Sequence, residues 1–395
     1  MSQVKICVKN VSKVFGSHPE RALKLLNEGV AKDEISERTG QTVGLYGASF
    51  DVYEGEILVI MGLSGSGKST LIRCLNLLNK PTTGSIIIDG EDLTSVSHDH
   101  LMKIRQQKFG MVFQHFALFP HRTVLRNSEY GLEIQGVEAG IREEKGREAL
   151  KLVGLEGWED SYPHQLSGGM QQRVGLARAL AVDPDILLMD EAFSALDPLI
   201  RRDMQHELVA LQSRVKKTIV FITHDLDEAL KIGDRIILMK DGKIVQIGTP
   251  EDILENPSNR YVEKFVKDVD KSKVLSVSSI MAKAKVVAFP ADGPRTALHK
   301  MRDEGISSIF VVDRDYTFRG LLTADKASEA IKHHQKPIDQ FYERGMQAAG
   351  PDEPVNTLFA IMAETNRPVP VVNDQDKLLG VVTRVNLLAS LAEGE

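Results

Sequence analysis

Residues 62–69 read Gly62-Leu63-Ser64-Gly65-Ser66-Gly67-Lys68-Ser69, with Thr70 next in line. Three glycines this close together let consecutive backbone N–H groups turn inward around an anion, where a Cβ would obstruct the approach. A helix starting at Lys68 would aim its positive end at the same point. The pattern points to phosphate chemistry. Lys68 would reach the β- and γ-phosphates of a nucleoside triphosphate, and the Ser69 hydroxyl would ligate Mg²⁺.

A second group stands at Ile186-Leu187-Leu188-Met189-Asp190-Glu191, an apolar strand ending in two carboxylates. Asp190 is placed to hold the magnesium shell, and Glu191 to orient and deprotonate an attacking water. Some twenty residues earlier, Ser167-Gly168-Gly169 opens a strongly helical stretch. A serine followed by two glycines at a helix start is a further anion site. Two sites for a γ-phosphate and one phosphate loop suggest that two copies share each nucleotide.

These residues need a frame that delivers them to one place. Residues 1 to about 265 alternate short apolar runs with helical patterns, the sign of an α/β fold. Residues 57–62 predict a strand running into the glycine-rich turn, and residues 68–78 the helix after it. Further strands are expected at 85–89, 110–113, 186–189, 218–223 and 235–239. The last three are continuous apolar runs, as buried parallel strands are. Asp241-Gly242 is a hairpin signal. Residues 19–39 break the rhythm: Ala22, Leu23, Leu26 and Val30 recur at helical spacing and predict a helical insertion on the surface.

After Asn256-Pro257 the composition changes, and an internal repeat follows. Val311-Val312-Asp313 recurs as Val371-Val372-Asn373, and Gly320-Leu321-Leu322-Thr323 as Gly380-Val381-Val382-Thr383, at one constant offset. Each copy reads helix, strand, turn, strand, helix. Either alone buries little core, so the two should pack on each other.

A chain of 395 residues exceeds one average domain, and 42% hydrophobic with 26% charged residues is ordinary for a globular protein. A net charge of −6 argues against broad nucleic-acid binding. No apolar run reaches the roughly 18 residues of a membrane span, and MSQVKICVKN is no export segment. A cytosolic chain that reaches a membrane through a partner is expected. Cys7 and Cys74 form no spaced pair, fit a reducing compartment and are expected as small core residues.

LSGGM standing between a phosphate loop and MDE resembles the signature of ABC ATPases. The resemblance covers residues 1–265 and implies a P-loop NTPase fold, an ABC ATPase domain with a helical subdomain, over residues 1–268 with the insertion at about 19–39. Gln114 after MVF resembles the Q-loop glutamine that links magnesium, water and the transmembrane partner. Ser194-Ala195-Leu196-Asp197 resembles the D-loop at the dimer seam. His224 in FITHD resembles the switch histidine on the γ-phosphate, and Phe15 before Gly16 the aromatic that stacks on adenine. The implied catalytic set is Glu191, His224, Gln114 and Lys68. ATP would be held by Phe15, residues 62–70, Gln114 and His224, and in the other copy by Ser167, Gly168, Gly169 and Asp197. Ser69, Gln114 and Asp190 would hold Mg²⁺. The aromatic stretch 115–125 would face a membrane subunit.

Joined to the insertion and the repeats, HQLSGGMQQRVGLARAL and LLMDEAFSALDPLIR resemble the ATPase subunits of glycine betaine/proline importers, used in osmoprotection. The repeats resemble tandem CBS domains, an α+β module, at 279–335 and 336–395 after a linker at 269–278. This resemblance implies a homodimer on the cytoplasmic face of the inner membrane, with permease subunits and a substrate-binding protein or domain, and no nucleic acid. An importer of amino acids or another small solute, and a soluble ABC ATPase outside transport, are the alternatives. CBS modules that bind adenosine ligands commonly end in T-x-x-D. Here Thr323-Ala324-Asp325-Lys326 has the acid one place early, and Thr383-Arg384-Val385-Asn386 ends in an amide. Regulation stays open among ionic strength, a cyclic dinucleotide and none, with a regulatory nucleotide or an anionic membrane surface as the partner the module would take. The basic stretch 331–336, with Lys332 and Lys336, reads as a solvated helix end or as a face for an anionic membrane.

Overall fold

The computed structural model describes residues 3–114, 116–267, 272, 275–333, 337–365 and 367–392; His115 and Lys336 lie outside that set. Contacts divide the chain into two units, Met1–Asp268 and Val269–Glu395.

In the first unit, six strands form one sheet in the order Lys243–Gly248, Arg235–Lys240, Ile57–Met61, Thr218–Thr223, Ile186–Asp190, Phe109–Val112. All pairings are parallel except the edge hairpin at Asp241-Gly242. Ile57–Met61, Ile186–Asp190 and Thr218–Thr223 are buried at every residue. Continuous apolar sequence is what a strand covered on both faces requires. Because the strands are parallel, the loops that begin at Gly62, Phe113, Glu191 and His224 all leave from the same edge. Ligands of open α/β sheets bind at that edge.

A second sheet, antiparallel, orders Thr42–Tyr53, Val4–Phe15, Thr83–Ile88 and Glu91–Asp92. One core joins the two: Ile6, Val8, Phe50 and Ile86 pack with Leu58, Ile60, Leu188 and Val220, and with Leu71 and Leu75 of the helix Lys68–Leu75. That helix is therefore held in the middle of the unit. It ends at Leu75, short of the expected 78. Leu77 takes a left-handed φ of 54°, the Asn76 side chain accepts from Leu78 N at 3.1 Å, and Arg105 donates to the Asn76 and Leu77 carbonyls. Cys74 is buried, but Cys7 is only half-buried. It alternates with buried Ile6 and Val8, so its side chain is on the other face of the strand.

Residues 19–39 form two helices, Pro19–Asn27 and Lys32–Thr39, interrupted at Gly29 with φ 85°. Ala22, Leu26 and Ile35 are buried against Val14 and Val43, which seats the insertion on the antiparallel sheet, while Val30 lies in the break. Four helices, Val124–Ser128, Tyr130–Ile134, Ala139–Leu152 and Gly168–Ala181, pack on one another. Asn127, fully buried, pins the approach to them: its amide donates to the carbonyls of Phe119, Arg122 and Thr123 and accepts from Phe119 N.

In the second unit, Ser308–Val312 and Phe318–Thr323 pair antiparallel, as do Val369–Val372 and Leu378–Val382. The two repeats exchange partners. Leu321 exchanges both backbone hydrogen bonds with Glu343, and Val381 does the same with Ala282. Leu275 and Val277, placed by the sequence in a linker, are buried in the core of the second repeat with Val355, Leu358 and Val371. Conversely, Ile338 and Tyr342, assigned by position to the second repeat, complete the core of the first.

Candidate nucleotide site

The loop after Ile57–Met61 is shaped by glycines that no other residue could replace. Gly62 has φ 150° and Gly67 φ 102°. A Cβ on Gly62 would stand 2.3 Å from the Met239 carbonyl, and one on Gly67 2.4 Å from the Gly44 carbonyl. The Lys68 ammonium, 5% exposed, donates to the carbonyls of Gly62 at 2.9 Å and Leu63 at 3.3 Å. Ser66 Oγ is buried and has no hydrogen-bond partner among the described residues. An unpaired buried hydroxyl costs about 1–3 kcal/mol, so a loop carrying one suits an oxygen-rich anion that would supply the acceptor.

At the end of Ile186–Asp190, the Asp190 carboxylate accepts from Ser69 Oγ at 3.0 Å and from Arg73 Nη2 at 3.4 Å. A hydroxyl beside a carboxylate is an oxygen-donor set of the kind a hard divalent cation takes. Glu191, one residue on, has a left-handed φ of 48°. That region is sparsely used by residues with long side chains and is found where function over-determines the backbone. Three groups from three other segments converge on its carboxylate. Lys68 Nζ is 3.7 Å from Oε1, Gln114 Nε2 donates to Oε2 at 3.3 Å, and His224 Nδ1 is 3.7 Å from Oε2.

In front of this group opens a cavity of about 610 Å³. Ser64, Gly65, Ser66, Gly67, Lys68, Ser69 and Thr70 line its floor, Glu191 and His224 one wall, Phe15 another. Phe15 is 39% exposed, with Lys13 Nζ 5.0 Å from its ring centroid. Gln114 and Asp190 are not among the lining residues; they contact Glu191 and Ser69, which are. Ser167, Gly168, Gly169 and Asp197 line no part of it. Ser167 Oγ instead caps its own helix, accepting from Met170 N at 3.3 Å, and Asp197 caps Pro198–Val215 through Ile200 N at 3.1 Å. Gly169 is required by packing, since a Cβ there would meet Ile200 Cγ2 at 2.5 Å, whereas one on Gly168 would make ordinary contacts with Phe116 at 3.6 Å and Leu196 at 3.8 Å.

The cavity also holds residues that sequence reasoning missed: Lys32, Asp33 and Ser36 from the insertion, and Thr42, Val43 and Gly44. Their one visible signal is that the insertion follows Phe15 directly. Arg73 was missed too, although it stands four residues after Ser69 and so on the same helix face.

In the second unit a cavity of about 470 Å³ gathers Lys283, Lys285, Arg367 and Arg384 with Glu304 and Thr383. The amide oxygen of Asn386 accepts from both the hydroxyl and the backbone N–H of Thr383, at 2.5 and 3.1 Å, and so already holds the turn.

Residues 45–194 match the family described as ABC transporter, and residues 277–333 and 342–393 match the CBS domain. The chain is 56% identical over 389 residues to the glycine betaine transport ATP-binding protein OpuAA of Bacillus subtilis (strain 168), covering 98% of this chain and 93% of that one. The chain belongs to the glycine betaine branch of the ABC transporter ATP-binding subunits. To ProV of Escherichia coli (strain K12), named for glycine betaine/proline betaine transport, this ABC subunit is 47% identical over 391 residues, with 98% of both covered. Among solved structures, the dimeric post-hydrolysis state of the ATP-binding cassette MJ0796 bound to ADP and Pi matches with a TM-score of 0.53 and 35% identity, over 62% of this chain and 98% of that one. The ABC subunit thus combines an α/β ABC ATPase fold with a C-terminal tandem CBS module, and its reaction is ATP hydrolysis.

Proposed function

We propose that this ABC subunit works as a head-to-tail homodimer whose ATP hydrolysis drives uptake of glycine betaine or a related quaternary ammonium solute for osmoprotection. Membrane-spanning permease subunits and a substrate-binding protein or domain complete the system. The reading is carried by the 56% identity over 98% of the chain to OpuAA, which is named for glycine betaine transport.

In this reading the backbone N–H groups of residues 64–69 and the Lys68 ammonium hold the β- and γ-phosphates, and the Phe15 ring takes the adenine. Ser69, Asp190 and Gln114 present oxygens that suit Mg²⁺, which when bound neutralises phosphate charge. Glu191 accepts the proton of the attacking water, and His224 on the far side of that carboxylate faces the γ-phosphate. Ser167, Gly168 and Gly169, absent from their own chain's cavity, close on the ATP of the second copy, with Asp197 at the seam. Closure carries Gln114 and the stretch 115–125 with it, which tilts the permease, and hydrolysis lets the pair reopen.

No helix among the described residues is long and apolar enough to cross a membrane. The subunit would then be held peripherally, at the cytoplasmic face of the cell membrane, by its permease. In the second unit, the four cations around the smaller cavity suit an anionic regulator such as a cyclic dinucleotide, in competition with salt.

The test is ATP turnover by the purified complex in vesicles at several ionic strengths. Glycine betaine should raise the rate and salt should set its threshold. A complex that responds to an amino acid and ignores glycine betaine would overturn the solute assignment.

A further inference from the structure

The two-helix insertion supplies a wall of the nucleotide cavity that phosphate binding does not explain. Its second helix, Lys32–Thr39, is anchored by Ile35, fully buried against the antiparallel sheet. Lys32, Asp33 and Ser36 of the same helix line the cavity, with Asp33 on the side away from Ile35. Asp33 and Ser36 are three residues apart, hence neighbours on one helix face. Lys32 Nζ donates to the Gly65 carbonyl at 3.1 Å and lies 3.4 Å from Asp241 Oδ1, which ties the helix to the phosphate loop itself. Among the described residues, no hydrogen bond or ion pair engages the Asp33 carboxylate or the Ser36 hydroxyl.

A nucleotide with its phosphates on residues 64–70 and its base on Phe15 must lay its sugar between the two. Gly44 adjoins both ends of that path: a Cβ on it would meet Phe15 Cε2 at 2.9 Å and Thr70 Cγ2 at 3.0 Å. The side chain of residue 44 is thus absent where the sugar passes, and the polar groups facing the same space are those of the insertion. A carboxylate is the acceptor that suits a pair of ribose hydroxyls. We infer that Asp33 and Ser36 form a ribose subsite, in which the Asp33 carboxylate accepts from the 2′- and 3′-hydroxyls and Ser36 Oγ completes the contact, with Lys32 holding the helix in place. The inference rests on the nucleotide reading of this cavity.

The test compares binding of ADP and 2′,3′-dideoxy-ADP to the full chain by calorimetry, so that no hydrolysis intervenes. The wild-type chain should prefer ADP by about tenfold, the ratio that a charge-assisted hydrogen bond gives. The double variant Asp33→Ala, Ser36→Ala should bind both nucleotides equally, at the wild-type affinity for dideoxy-ADP. Asp33→Asn, which preserves shape, should lose most of the preference and decides the matter if the double variant fails to fold. A wild-type chain that does not discriminate, or a preference that survives both changes, overturns the subsite. A change in the ADP-to-GDP ratio in place of the sugar ratio also overturns it, because the groups would then read the base. Undiminished ADP binding by Lys68→Ala is a separate result, and it would remove the cavity reading beneath the inference.

Discussion

At φ 48° Glu191 occupies a conformation that costs of order 1–3 kcal/mol for a residue of its type, and three side chains from other strand ends meet its carboxylate. The backbone aims one oxygen at Lys68 and the other at Gln114 and His224. Glu191→Gln keeps the shape and the Gln114 contact but cannot take a proton. It should bind ATP as the wild type does and slow hydrolysis by about 10²–10⁴, the usual worth of a general base. Phosphate release and equilibrium binding measured on one preparation check this; hydrolysis at the wild-type rate would falsify the role. Motif residues such as Lys68, Ser69, Asp190 and Glu191 were legible because their spacing within one strand and one turn already implies their geometry. Arg73 was not, since its role depends on Asp190, 117 positions away. The cysteines divide along the same line. Burial pushes the Cys74 thiol up to about 12, which leaves it inert, whereas Cys7 faces the other side of its strand.

The short helix Leu226–Ile232 shows how an element positions a candidate site residue. Asp225 caps it by accepting from Glu228 N at 3.2 Å, and Thr223 Oγ1 accepts from Asp225 N at 3.0 Å, so the backbone on both sides of His224 is held. Behind it, buried Glu228 accepts from Gln205 Nε2 at 2.9 Å. Burial raises the Glu228 carboxyl above its ordinary value, against the hydrogen bonds from Thr223 and Gln205. A carboxyl raised on folding contributes stability below its unfolded value and loses it as pH rises through the folded value. Glu228→Gln keeps the Gln205 contact and carries no charge. Its thermal midpoint should therefore exceed that of the wild type at pH 7, with the difference shrinking as pH falls toward 4. A constant difference across that range would show that packing, not ionisation, sets it. The strands were readable as elements because their apolar runs are unbroken. The helix at Lys68 overran in the sequence reading because Arg105, from another helix, takes the carbonyls that would have continued it.

Across the whole chain, the decisive feature is that the two repeats hold each other's ends. Leu275 and Val277 sit in the core of the second repeat, Ile338 and Tyr342 in that of the first. A chain stopped at 268 should therefore keep ATP hydrolysis and lose only the regulation proposed for the repeats. A chain stopped at 340 strands Leu321 without Glu343, and Leu275 and Val277 without a core. Limited proteolysis should leave the first intact and digest the second back to about residue 268. Protection of residues 275–333 in the chain stopped at 340 equal to that in the full chain would show that the first repeat folds alone. The sequence by itself supplied the candidate residues for the chemistry and showed that the second half is a duplicated unit, because both are local: a phosphate loop needs one strand, one turn and one helix start. Only the tertiary structure decided that four strand ends meet at Glu191, that Asp33 and Ser36 wall the nucleotide cavity, and that the repeats trade segments. Strand order and pairing between distant residues set those neighbours, and hydrophobic periodicity along one chain says which face is buried without saying against what.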